Sequence, residues 1–129
     1  MRKIVRLHDG LRALYPHAIV FAGVGSRPVA RDLDRVRSLL GMPAATGDRT
    51  ALSIAVSADG LAIWAQSPLI TLRPAQLAVI GVDEGVIEVT AIVSGSTASF
   101  SVPLAVPAES PHIADRVLAA LAGHRAATA

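Results

Sequence analysis

Alternation over residues 51–66 constrains this chain more than any other feature. Leu52, Ile54 and Val56 alternate with small or polar residues, and Leu61, Ile63 and Ala65 do the same after Ala58-Asp59-Gly60. A period of two is that of a strand with one buried face. Asp-Gly between two such runs predicts a tight hairpin, because Gly60 accepts the positive φ that the turn requires. The pattern continues past Ser67-Pro68 into a strand over 69–73, which Pro74 ends. Residues 76–82 are apolar and fit either a strand or a helical turn; the strand is the better reading. Asp83-Glu84-Gly85 is then a turn, and residues 86–93 and 97–104 pair through Ser94-Gly95-Ser96. In the last arm Phe100, Val102 and Leu104 face inward, with Ser99 and Ser101 outward.

The 129 residues fit one domain. With 52% hydrophobic residues and no cysteine, the core must hold without disulfides. Tyr15, Phe21, Trp64 and Phe100 are the whole aromatic complement, so the core is aliphatic. Mean hydropathy is +0.51, yet the most continuous apolar run, 18–25, falls well short of the ~20 residues of a spanning helix. Arg6, His8, Asp9 and Arg12 interrupt any signal-peptide core after Met1-Arg2-Lys3. Together with the absence of cysteine, this gives a cytoplasmic protein as the expectation.

Net charge is +2, unevenly spread: nine basic and four acidic residues in 1–50, three basic and six acidic in 51–129. A basic N-terminal region on a mildly acidic β body suits a solvated helix face, an acidic partner, an anionic membrane surface or self-association. Residues 1–49 read as helix, strand, helix. Ile4, Leu7, Leu11 and Leu14 recur at helical spacing, with Arg6 and Arg12 off that face, until Tyr15-Pro16 stops the run. This short basic helix is expected to dock on the body or on a second subunit. Residues 17–23 read as a strand. Val29, Leu33, Val36 and Leu40 then mark a helix over 28–40, with Ser26 as N-cap, Pro28 in the first turn and Gly41 and Pro43 as stops. Residues 42–50 are expected to form a flexible loop. At the other end Ser110 as N-cap, Pro111 at the first position and the stripe Ile113, Val117, Leu118 and Leu121 predict a helix. Gly123 is its expected stop, before a frayed tail over 124–129.

Arg27, Arg31 and Arg35, spaced by four, form one stripe on the 28–40 helix. Three guanidinium groups on one face suit carboxylates, phosphates or anionic headgroups. Duplex DNA calls for more basic and base-reading groups, and single strands call for exposed aromatics, so nucleic acid is not the expected partner. Gly23-Val24-Gly25-Ser26 has the place of a phosphate-binding turn, between strand and helix. Pro28 stands where the dinucleotide fingerprint needs a third glycine, and no Gly-Lys-Ser/Thr follows. The plain reading is a tight turn. His8, His17, His112 and His124 offer no metal-binding spacing, and Ser26, Ser94 and Ser96 sit in turns without a defined base. Asp83 and Glu84 read as a solvated turn. Trp64 alternates with Ala62 and Gln66, off the main apolar register; packing beneath the 28–40 helix is preferred over an exposed contact surface.

The segment 54–64, then 68–76, then two strands and the helix over 113–121, resembles short bacterial pleckstrin-homology-like (PH-like) domains over about residues 50–122. That resemblance implies an α+β fold. It consists of a bent antiparallel sheet or small barrel, a capping C-terminal helix over the body 50–123, and here an additional N-terminal helical region. It also implies a binding module and no enzyme. Where some relatives bind phosphoinositides through basic loops, the corresponding turn here carries Asp59, and Arg73 is the basic residue nearby. The function expected is non-catalytic binding or scaffolding by protein–protein contact or self-association, without cofactor or metal, through Arg27, Arg31, Arg35 and Trp64. The alternatives are peripheral binding to anionic lipid or a small phosphorylated ligand, a Roadblock-type dimerising regulator, and an enzyme. The Roadblock fold needs a long helix after the 51–66 hairpin; an enzyme needs a pocket with convergent ionisable groups.

Overall fold

A computed structural model describes residues 18–128, with side-chain surroundings through residue 121. The expected helix over 4–14 lies outside the described residues. In chain order the elements are β1 (Ile19–Val24), α1 (Arg27–Leu39), β2 (Ala51–Ser57), β3 (Gly60–Trp64), β4 (Pro68–Leu72), β5 (Leu77–Asp83), β6 (Val86–Val93), β7 (Ser96–Pro103) and α2 (Ser110–Thr128). Short 3-10 turns at Pro74–Gln76 and Pro107–Glu109 precede β5 and α2.

The strands form two antiparallel sheets, β1-β2-β3-β4 and β5-β6-β7. The fold is α+β, as expected, and it is not a closed barrel. Among the described residues the sheets join at one bridge, Gly23 to Leu104, beside the bond from Ala105 N–H to Ala22 O. The apolar register places Ile19, Phe21, Leu52, Ile54, Val56, Leu61, Ile63, Ile70 and Leu72 of the first sheet in one cluster. Ile87, Val89, Phe100, Val102 and Leu104 come from the second. Both helices close this core by bridging the sheets: α1 packs on β7 and β4, and α2 packs on β5, β2 and β1.

Residues 77–83 are a strand, so 68–83 holds two strands rather than the long helix of a Roadblock fold. The β2–β3 turn is centred one residue earlier than the Asp-Gly signal suggests. Ser57 pairs with Gly60, leaving Ala58-Asp59 as the loop, and the Ser57 hydroxyl accepts from Asp59 N–H at 3.1 Å. Gly60 keeps the positive φ (+120°) as the first residue of β3. There a Cβ would lie 1.9 Å from the Leu72 carbonyl oxygen, so glycine is required twice over.

Three expectations for α2 are corrected. Ser110 does not cap the helix: it is the first helical residue, and its buried hydroxyl accepts from Gly85 N–H at 2.8 Å, tying the helix start to the β5–β6 turn. Leu118 leaves the apolar stripe. Ile113 and Val117 are buried, whereas Leu118 is 62% exposed, because a step of one residue rotates it about 100° from Val117. The helix also does not stop at Gly123 but runs to Thr128. Five alanines among residues 119–127 flank it closely enough for helix propensity to outweigh the ~1 kcal/mol cost of one glycine.

Candidate interaction surface

Helix α1 forms where its sequence predicts. The Ser26 hydroxyl accepts from Val29 N–H at 3.4 Å, Pro28 fills the first turn, and Val29, Leu33 and Val36 are buried. With that face inward, Arg27, Arg31 and Arg35 emerge on the opposite side, all exposed. Residues four apart lie about 6 Å along a helix axis, so the three guanidinium groups form a row about 12 Å long. Arg35 reaches Asp32 at 3.5 Å in an exposed i, i+3 pair. Among the described residues Arg27 and Arg31 make no ion pair.

The helix is held firmly from behind by a residue that the charge pattern conceals. Arg37 is 8% exposed. Its Nε donates to Pro43 O at 2.8 Å and its Nη1 to Leu69 O. The signal was present: Leu33, Arg37 and Leu40 follow helical spacing, so Arg37 belongs to the inward face even though its chemistry matches the outward arginines. Asp34 adds a second tie, accepting from Ala45 N–H at 3.2 Å and pairing with Arg49 at 2.9 Å. Residues 42–50, expected to be a flexible loop, are thereby fastened to α1 at both ends.

The glycine turn before α1 is a packing device. Gly25 N–H donates to Thr50 O at 2.8 Å, and a Cβ on Gly25 would stand 1.7 Å from Arg49 O. The turn N–H is thus committed to the chain, and the glycine lets two backbone segments touch.

Trp64 departs from its preferred expectation. It pairs with Ser53 across β2–β3, and both lie on the face of the sheet that points away from the core, since Leu52, Ile54, Leu61 and Ile63 take the other. It is therefore not among the residues packed beneath α1, and it is half-buried rather than exposed. The structure does not bring Trp64 together with the arginine row in one site.

A feature missed in the sequence lies where the β5–β6 turn meets α2. The β5–β6 turn and the start of α2 border an open groove of about 600 Å³, lined by Val82, Asp83, Glu84, Pro107, Pro111 and Asp115. Asp83 and Glu84 read as an ordinary turn in sequence; only the tertiary placement of α2 adds Asp115 and makes a negative recess. No helix among the described residues is long and apolar enough to cross a membrane. No family model matches the chain, and no curated protein matches it.

Proposed function

We propose that this protein is a non-catalytic, PH-like binding module that works by protein–protein contact, with a second copy of the chain as the partner its surface fits best. The observation that carries the reading is the exposed row Arg27, Arg31 and Arg35, displayed on a helix pinned by Arg37 and Asp34. A helix that is already ordered spares the backbone its part of the docking cost, and each exposed arginine then gives up only its own side-chain freedom. The chain also carries the complement, in the groove of Asp83, Glu84 and Asp115. Opposite charges on two separate patches favour association between copies and fix its register. The PH-like assignment is supported by the division into four- and three-stranded antiparallel sheets followed by a C-terminal helix.

Sedimentation velocity over a wide concentration range tests this reading. The parent chain is expected to gain mass with concentration, and Arg27→Glu/Arg31→Glu/Arg35→Glu to remain at monomer mass with an unchanged circular dichroism spectrum. Raising salt should weaken the parent's association, as for any contact dominated by exposed charge. A parent that stays monomeric but floats with anionic vesicles would replace the reading with peripheral lipid binding.

A further inference from the structure

Among the described residues the two sheets leave one edge open. β1 is bridged to Leu104, just past the end of β7, so those two edges close on each other. β4 opens with Pro68 and has α1 packed against it. The remaining edge is β5. Leu77, Ile80 and Val82 turn inward onto the core. Ala78, Val79, Gly81 and Asp83 are exposed, Val79 at 56%. The backbone is open as well. Glu84 and Gly85 both have positive φ, 50° and 80°, as in the two-residue turn whose flanking residues, here Asp83 and Val86, exchange both hydrogen bonds. Counting back by two, Gly81 and Val79 also bond to β6, opposite Glu88 and Thr90. The N–H and C=O groups of Ile80 and Val82 therefore point to the outer side, where no described residue bonds to them. Native sheets blunt such an edge with charge or proline. Residues 77–82 contain neither, and the one irregularity, between Leu77 and Val79, disturbs only the start of the strand.

We propose that the outer edge of β5 takes up an extended segment of a partner protein as an added strand, with a basic residue at the segment's first position and an acidic one at its last. Main-chain hydrogen bonds to Ile80 and Val82 supply the attachment, as in any strand addition. Charge sets the ends. Asp83 and Glu84 close β5, and the groove that they share with Asp115 begins at Val82, so edge and groove are continuous. Exposed Arg73 stands before the other end. Both sheets are antiparallel throughout, so the added strand runs opposite to β5, and its first residue meets the carboxylates while its last meets Arg73. Between these ends the segment alternates, since successive side chains of a strand lie on opposite faces. Seven residues cover the strand, about 20 Å. The opening at Val82 is a groove walled by Pro111 and Ala114 of α2, not a flat rim. That shape suits a lone extended chain better than the β5 of a second copy, which brings its own α2 alongside.

The test uses the full chain carrying Arg27→Glu/Arg31→Glu/Arg35→Glu, whose row cannot fill the groove, so its outcome is separate from that of self-association. The probe is the capped peptide acetyl-Arg-Thr-Val-Thr-Val-Thr-Glu-amide. On its addition, solvent exchange of the Ile80 and Val82 amides should slow severalfold, while Val79 and Gly81, already bonded to β6, stay protected with and without it. The charge-reversed peptide, acetyl-Glu-Thr-Val-Thr-Val-Thr-Arg-amide, should bind about tenfold more weakly or worse. N-methylation of one alternate set of peptide amides should abolish binding, and N-methylation of the other set should leave it, because only alternate residues of a strand face its neighbour. No slowing at Ile80 and Val82 at millimolar peptide would overturn the proposal. Equal binding of the two methylated peptides would refute strand addition. Concentration-dependent protection of Ile80 and Val82 without peptide would place a second copy on the edge, and so contradict the lone segment.

Discussion

Arginine has two unrelated uses in α1, and one substitution each separates them. Arg31 is exposed and unpaired among the described residues, so Arg31→Ala should change stability by less than about 0.5 kcal/mol. Arg37→Ala should cost about 2–3 kcal/mol in urea unfolding, because it strands the carbonyls of Pro43 and Leu69 and opens space under the helix. Ser110→Ala should cost about 1–3 kcal/mol, since a buried Gly85 N–H loses its acceptor. Such residues mark the limit of one-dimensional reading. The hydroxyl of Ser110, just before Pro111, fits a cap on every local rule, but its partner lies 25 positions away and appears only when the β5–β6 turn reaches the helix.

The elements themselves were largely legible because their signals are local. Alternation over 51–66 and 86–104 specified four strands, and Ser26, Pro28 and Gly41 bounded α1 within a residue or so. Residues 77–83 resolve as a strand because β6 supplies a pairing partner, which the local pattern does not encode. Leu118 falls outside the buried stripe of α2, although its sequence places it beside Val117. Val117→Ala should therefore destabilise the protein by about 1–3 kcal/mol through lost burial, whereas Leu118→Ala should leave the denaturation midpoint essentially unchanged. Equal losses at the two positions would restore Leu118 to the core-facing stripe. The arginine row was fully legible, being a matter of spacing on one helix. The acidic groove was not, because Asp115 meets Asp83 and Glu84 only through the packing of α2 against β5.

For the whole molecule, the two helices do different work on one core. Both bridge the sheets, yet α1 carries the basic row and α2 borders the acidic groove, so the charge asymmetry of the sequence becomes two separated faces. A basic face and an acidic recess on one surface suit contact between copies. The most direct measurement of that claim is light scattering on a charge-exchanged mixture. Arg27→Glu/Arg31→Glu/Arg35→Glu alone has acid on both faces, and Asp83→Arg/Glu84→Arg/Asp115→Arg alone has base on both, so each should be monomeric. Mixed in equal amounts, each supplies the other's complement, and the mixture should regain the parent's concentration-dependent mass. A mixture that stays monomeric at concentrations where the parent associates would contradict the pairing of the arginine row with the acidic groove.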